Sequence, residues 1–451
     1  MKKLVLLVVL SVFLGSAALA QTEVRWFVGL GAGSDEPTFA AQEKIVEEFN
    51  ASQSDIKLVL EIVDSDQSQD VLATQISAGN APDLVGPVGI GGRAAFPGAW
   101  MDLSPFIEAN NYDLSDFDPA LVDFYKLEGE GQLGIPFAVF PSFITYNKDL
   151  FDEAGLPYPP SEYGAPYMDE NGDEQEWTVD TLRDLAMKLT VDANGVDATS
   201  EDFDPNNIVQ WGFGYMFTDL RGRFTLFGPG NFVDADGNAI IPVNWQTAAH
   251  WYQDAMWKDN FYPNGPYGGS ALLGDGNWFD SGNLAMAETH LWYLSCCLTS
   301  LQADWDVAPV PTYNGEATAK LHADTFGILK SAKHPEEAFT VLSYLLSPEV
   351  AGRLASIYGG MPARISLQDS YFEQYATEKF PDQDVNWDVV AAGLSHPDTP
   401  NHEEGMPSSR EARDRYNAFT QRLENEPDFE VDAELELLKS DLQRIFDANR
   451  N

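Results

Sequence analysis

The sequence predicts an α/β protein built as two lobes, and three observations carry that prediction. Residues 24–85 alternate strand-like and helix-like segments in the order β-α-β-α-β. A chain of 451 residues exceeds what one hydrophobic core of ordinary size accommodates. A content of 44% hydrophobic and 12% aromatic residues lets each lobe bury a core of its own, which excludes disorder over most of the chain.

The elements follow in order. Residues 1–20, MKKLVLLVVLSVFLGSAALA, join Lys2 and Lys3 to an apolar run and an Ala18-Leu19-Ala20 cleavage pattern. They read as a secretory signal and are set apart from the fold. The run is short for a membrane anchor, no cysteine follows it for a lipid, and no later segment offers ~18 uninterrupted apolar residues. Val24-Arg25-Trp26-Phe27-Val28 has the β-branched and aromatic content of a strand. A helix over 38–50 carries Phe39, Ile45, Val46 and Phe49 on one face. The segment 56–63, IKLVLEIV, is the second strand. A helix over 67–78 closes at Gly79, and Pro82 leads into a third strand, DLV. Strands separated by helices make a mostly parallel sheet, whose ligands sit beyond the carboxyl ends of the strands.

Further along, 158–176 is rich in Pro, Gly and acids and reads as a surface excursion. Its Asp169, Asn171 and Asp173 hint at calcium spacing, but the glycine stands fourth instead of sixth. Asp234-Ala235-Asp236-Gly237-Asn238 makes the same partial match and is more simply a hairpin turn. Helices are expected over 178–190, 245–260, 335–347 and 431–448.

Charge narrows the function classes. The chain has 26 basic against 71 acidic residues, a net charge of −45. Such a field repels phosphate backbones and anionic lipid, so no nucleic-acid or membrane-surface partner is expected. The carboxylates are spread along the chain, as in a solvated acidic shell.

Chemistry-bearing motifs are few. Residues 29–37, GLGAGSDEP, follow the first strand and open the first helix, where glycines let backbone N–H groups approach a ligand. The same loop also reads as a tight turn capped by Ser34 or Asp35. It lacks the Gly-Lys-Ser/Thr ending of a P-loop. Residues 89–94, GIGGRA, fit a dinucleotide fingerprint only loosely. There is no G-x-S-x-G, no H-E-x-x-H and only 6 histidines, and His402-Glu403-Glu404 lacks the second histidine a zinc helix needs. No catalytic residue, cofactor or metal is therefore expected. What stands out are aromatics: Trp211, Tyr215, Trp278, Trp292, Tyr293, Phe140 and Phe143. Aromatic faces stack on the C–H faces of sugars while acids, amides and arginines satisfy hydroxyls.

Beyond single motifs, an ordered series spans nearly the whole mature chain: QISAGNAPDLV (75–85), WMDLSPFI (100–107), IPFAVFPSFITYNKDLFDEAGLPYPP (135–160) and WTVDTLRDLAMKLT (177–190). FVDADGNAI (232–240), SGNLAMAETHLWYL (281–294), DWDVAPVP (304–311), KHPEEAFTVLSYLLSPEVA (333–351) and GGMPAR (359–364) follow. In this order the chain resembles extracellular solute-binding protein family 1 of the ABC importers, which includes maltose-binding proteins. The resemblance implies a two-lobed periplasmic-binding-protein-like fold of type II, each lobe a mostly parallel sheet flanked by helices, with an interlobe ligand cleft. Crossings between lobes would fall near 138–140, 308–311 and 361–364, giving lobe 1 as 21–139 plus 308–361 and lobe 2 as 140–307 plus 362–451.

The family's cleft matches the loop from Gly31 to Glu36, the loop from Gly86 to Arg93, and Trp292, although the family's frequent Gly-x-Trp becomes His290-Leu291-Trp292 here. Just beyond lie Cys296 and Cys297, the chain's only cysteines. In an exported protein adjacent cysteines can close a strained ring and present a stiff apolar surface beside Trp292. The alternative is two small buried thiols at a helix start. The expected ligand-binding set is Gly33, Ser34, Asp35, Glu36, Arg93, Phe140, Tyr215, Arg221, Trp292, Tyr293, Cys296, Cys297, Asp324 and Arg364. The expected role is that of a monomeric, non-enzymatic capture protein for a sugar or oligosaccharide, at the periplasm or the outer face of the envelope, docking transiently on an ABC permease. Alternatives are a secreted glycan-processing hydrolase, or a binder of a phosphorylated or carboxylated solute with Arg93, Arg221 or Arg364 as counter-charge.

Overall fold

Thr22–Val28 forms the first strand and pairs in parallel with Ile56–Ile62 on one side and Leu84–Gly89 on the other. Val24, Trp26, Phe27 and Val28 are all fully buried, because crossover helices Glu36–Ser52 and Ser65–Ser77 separate these strands and a parallel sheet is covered on its faces. The first helix starts two residues before the expected position, with Pro37 in its first turn. Asp35 stands at its N-cap in extended conformation, yet its side chain makes no capping bond. The computed structural model describes residues 21–127 and 129–448, so the leader read in residues 1–20 lies outside the described residues.

The organising element is the 13-residue strand Ile135–Asn147, IPFAVFPSFITYN, buried at every position. Its near-continuous apolar sequence suits a strand covered on both faces. Along its length the partners change. Ile135–Pro141 pairs antiparallel with Leu321–Ile328, whereas Ser142–Tyr146 pairs antiparallel with Leu284–His290. Leu321–Ile328 joins the parallel trio through Leu84–Gly89, and Leu284–His290 joins Ile208–Tyr215 in parallel. One strand thus links two mixed α/β halves, with antiparallel pairs at the seam and the parallel pairs, Thr22–Val28 with its two neighbours and Ile208–Tyr215 with Leu284–His290, farther out.

Two further segments cross that seam. After Trp305–Ala308 the hairpin Thr312–Ala317 stays with the second half: Thr312 N–H donates to the Trp177 carbonyl at 2.9 Å, and Tyr313 lies 4.9 Å from Phe227. The return therefore comes at Thr318–Leu321, some residues later than the 308–311 expected. Met361–Pro362 pairs with Ala138–Val139, and just beyond it the chain is still held to the first half, where Ile365 N–H donates to the Asp116 carbonyl and Arg364 bonds Asp116 and Tyr112. A last passage runs beside the return, where Ala319 N–H donates to the His396 carbonyl and Leu321 N–H to Asp398.

Apolar packing follows this arrangement. One cluster continues from Val24 and Trp26 across Phe137 and Phe140 to Leu291 and Tyr293, so apolar packing runs across the seam. A second joins Leu182, Phe213, Trp245 and Tyr252 to Phe419 and Leu442 of the C-terminal helices Ser409–Asn425 and Val431–Ala448. Both suspected calcium turns are hairpins held by their own acids. Asp169 accepts from the N–H groups of Asn171 and Asp173, and Asp234 from those of Asp236 and Asn238. No described helix is long and apolar enough to cross a membrane.

Candidate functional site

A cleft of about 540 Å³ opens at the seam. Its first wall is the loop after Thr22–Val28. Gly31 is there because nothing larger fits: a Cβ would stand 2.6 Å from Asp324 Oδ2 and 2.9 Å from the Gly89 nitrogen. That approach lets Ala32 N–H donate to Asp324 Oδ2 at 2.8 Å. Thr38 Oγ1 and buried Gln42 Nε2 both donate to the Gly33 carbonyl, at 3.0 and 2.7 Å, so the first helix holds the loop in shape.

The opposite wall comes from the short helix Leu291–Cys296, which presents Trp292, Ser295, Cys296 and Cys297. The two cysteines are joined in a disulfide, with their Cα atoms 3.7 Å apart. Asn277 Nδ2 donates to the Cys297 carbonyl at 2.7 Å, and Cys297 N–H donates to the Tyr293 carbonyl at 3.0 Å. Phe217 stands beside Trp292, ring centres 6.3 Å apart and planes inclined by 28°. It is half exposed and has φ +51°, an outlying backbone position for a bulky residue. Phe140, Tyr358, His322 and Glu403 also line it.

Behind Trp292 the rings continue inward. Trp292 stacks on His290 at 5.0 Å and 6°, His290 meets His322 edge-on at 4.5 Å, and His322 meets His402 at 4.8 Å. Burial and the Lys320 charge hold the His290 pKa well below its usual value, so this ring is neutral. Lys320 is itself fully buried against Glu288. For His402 burial opposes protonation, but Asp398, whose carboxylate lies 2.7 Å from Nδ1, outweighs it and raises the pKa. Burial lifts Asp324 to about 7 despite the Ala32 N–H bond. Glu403 goes the other way: burial favours its neutral form, yet His322, His402 and Arg413 overcome this and keep it ionised.

Of the residues expected from the sequence, Gly33, Ser34, Asp35, Phe140, Trp292, Cys296, Cys297 and Asp324 line the cleft. Arg221 does not; it lines a smaller cavity of about 180 Å³ that shares Phe217, His322 and Glu403 with the first. The remaining five lie elsewhere. Glu36 is exposed in the first helical turn. Arg93 has its guanidinium 5.7 Å from the Tyr125 ring, where burial lowers its pKa. Tyr215 is buried and donates to the Arg223 carbonyl at 2.7 Å. Tyr293 is buried and donates to Asn277 Oδ1 at 2.7 Å. Arg364 lies over the Phe117 ring and bonds Asp116, Tyr112 and the Leu346 carbonyl. Arg93, Tyr215, Tyr293 and Arg364 each spend their polar group or ring on contacts within the protein. Trp211, Phe143 and Trp278 are likewise structural, the last donating to the Gly268 carbonyl at 2.8 Å.

Sequence reasoning missed Phe217, His322, Tyr358 and Glu403. Only Glu403 carried a signal, as part of His402-Glu403-Glu404, and its partner histidine, His322, stands 81 residues upstream across the seam.

Comparison with known proteins agrees with this architecture. A family model described as bacterial extracellular solute-binding protein matches residues 33–352. Among curated proteins, the sn-glycerol-3-phosphate-binding periplasmic protein UgpB of Brucella abortus is 31% identical over 150 residues, 32% of this chain and 33% of that protein. UgpB of Agrobacterium fabrum is 26% identical over 154 residues, 33% of this chain and 34% of its own. The matches thus span about a third of these relatives' length. Among solved structures, the ABC substrate-binding protein Lmo0181 from Listeria monocytogenes in complex with cycloalternan superposes with a TM-score of 0.72 at 21% identity, covering 94% of this chain and 98% of that one. UgpB from Mycobacterium tuberculosis in complex with glycerophosphocholine gives 0.71 at 16% identity, covering 95% and 99%. Maltose-bound T. maritima MalE3 gives 0.68 at 18%, covering 94% and 100%. At these identities the structural likeness speaks for the two-lobed fold.

Proposed function

Since the chain belongs to the bacterial extracellular solute-binding protein family, we propose that it is the exported substrate-binding component of an ABC importer, capturing a sugar or oligosaccharide in its cleft. The observation that carries this reading is the pairing of an aromatic and disulfide wall, Phe217, Trp292, Cys296 and Cys297, with a polar wall of Ser34, Asp35, Asp324 and Glu403. Apolar faces suit the C–H face of a pyranose, and carboxylates accept from its hydroxyls. Closure of the halves about the strand Ile135–Asn147 would bring the walls together around the solute, because the closed form adds contacts that the open form lacks. A micromolar Kd corresponds to about 8 kcal/mol, within reach of two stacked rings and several buried polar pairs. No bond is made or broken; the solute is released unchanged to a membrane permease. The residues 1–20 supply the export signal in this reading.

A second reading has its own support. The matched relatives are named for sn-glycerol-3-phosphate, and the smaller cavity adjoining the cleft offers Arg221 and Arg413 beside His402. Guanidinium groups are the natural partners of phosphate. A thermal-shift panel of monosaccharides, oligosaccharides, polyols and glycerol or sugar phosphates separates the two. Stabilisation should grow as RT ln(1 + [L]/Kd) for the true class. The carbohydrate reading expects neutral sugars to stabilise and phosphates not to; the reverse pattern would replace it with the second.

A further inference from the structure

The geometry points to a divalent transition-metal site, of the kind that takes Zn²⁺, formed by His322, His402 and Glu403 where the main cleft meets the smaller cavity. Their ligand-capable atoms all lie within 4.8 Å of one another. His322 and His402 come from separate passages of the chain across the seam, so no sequence motif brings them together.

Two observations separate this group from an ordinary polar cluster. First, Nε2 of both His322 and His402 is buried without any hydrogen-bond partner among the described residues. His402 is only 1% exposed, and an orphaned ring nitrogen at that depth costs stability unless something occupies it. Second, the other nitrogen of His402, Nδ1, lies 2.7 Å from Asp398 Oδ2, and Asp398 is locked in turn by N–H groups of Leu321 and His402. A carboxylate on the far nitrogen fixes the tautomer that leaves Nε2 free to ligate, which is how metal-binding histidines are usually oriented.

Glu403 supplies the anionic ligand. Its Oε1 lies 3.5 Å from His322 Nδ1, on the other side of the ring from the orphaned Nε2, so the side chain must turn to reach an ion held on the two Nε2 atoms. A tetrahedral ion with 2.0–2.1 Å bonds needs ligand atoms about 3.3 Å apart. Glu403 is the most exposed of the three side chains, at 27%, and can swing in to meet it. Three protein ligands leave the fourth position open toward the cleft, where water or a solute oxygen would bind. Nearby Asp219 and Asp398 offset Arg413 and Arg221, and the protein's net charge of −45 draws cations. Imidazole nitrogen donors select a transition ion over calcium or magnesium, which prefer oxygen.

This site stands whether the solute is a sugar or a phosphate, and its test uses metal alone. The mature chain, stripped with EDTA, is titrated with ZnCl2 by calorimetry and with CoCl2 by visible absorption. One ion per chain is expected, with Co²⁺ bands of tetrahedral strength, and excess Ca²⁺ should not displace it. H322A and H402A should each weaken Zn²⁺ binding by more than about 100-fold, and D398N by roughly 10- to 100-fold. The absence of saturable uptake, or uptake unchanged in a folded H322A protein, would overturn the site. Should a variant fail to fold, the Co²⁺ spectrum of the unaltered chain decides: octahedral, weak bands displaced by Ca²⁺ mean adventitious carboxylate binding and defeat the proposal.

Discussion

Phe217 shows most directly what a single residue contributes. Its φ of +51° is poorly suited to an aromatic side chain, and its ring remains half exposed beside Trp292. Strain of this kind persists where a surface has work to do. Replacing it with glycine, which accepts positive φ freely, should change stability by no more than about 1 kcal/mol, because relief of the backbone strain is set against the added freedom of the unfolded chain, while weakening solute binding. Urea melts and titrations of the same variant read both effects. Trp292→Ala should cost about 2 kcal/mol of binding, roughly 30-fold. Arg364 illustrates the opposite case. Its guanidinium is spent on Asp116, Tyr112, the Leu346 carbonyl and the Phe117 ring. R364A should therefore lose about 2–3 kcal/mol of stability in denaturant melts and keep its solute affinity. From sequence, Arg364 and Trp292 are equally plausible cleft residues. Only the positions of Asp116 and Tyr112, some 250 residues upstream, tell them apart.

Among the elements, the glycine loop and the cysteine-bearing helix define the two walls. Gly31→Ala would drive a methyl group to 2.6 Å from Asp324 Oδ2, displacing a carboxylate that also accepts from Ala32 N–H. The expected outcome is a loop shifted off the cleft, seen as weaker solute binding with the fold intact by circular dichroism. The helix Leu291–Cys296 ends in the disulfide, so intact mass should rise by two hydrogens on full reduction. An unchanged mass would remove the disulfide from the wall. These elements were legible in the sequence to different degrees. The first strands and crossover helices follow from period and capping, because each of these segments is a local unit. The loop's place in the wall follows from its position at the carboxyl end of a parallel strand. The return at Thr318–Leu321 did not show, since it depends on Trp177 and Phe227 retaining the preceding hairpin. The histidine cluster was hidden for the same reason: it is a product of the seam and belongs to no one segment.

For the whole molecule, 71 acidic residues against 26 basic ones leave a large self-repulsion in the folded state. Salt screens it over a Debye length of about 10 Å at 0.1 M and 3 Å at 1 M. The melting temperature should therefore rise between dilute and molar NaCl; a flat response would mean that pairs such as Arg353–Glu48 and Arg415–Asp441 already compensate the field. Two halves joined through one continuous strand and a shared apolar cluster also suit a molecule that opens and closes without coming apart. In the proposed function these halves hold a solute and leave its bonds intact. Native mass spectrometry of the mature chain with the carbohydrate and phosphate panel tests this most directly. The predicted result is one solute per chain, released with its mass unchanged. No adduct with any member of the panel, or a released mass altered by one water, would contradict it.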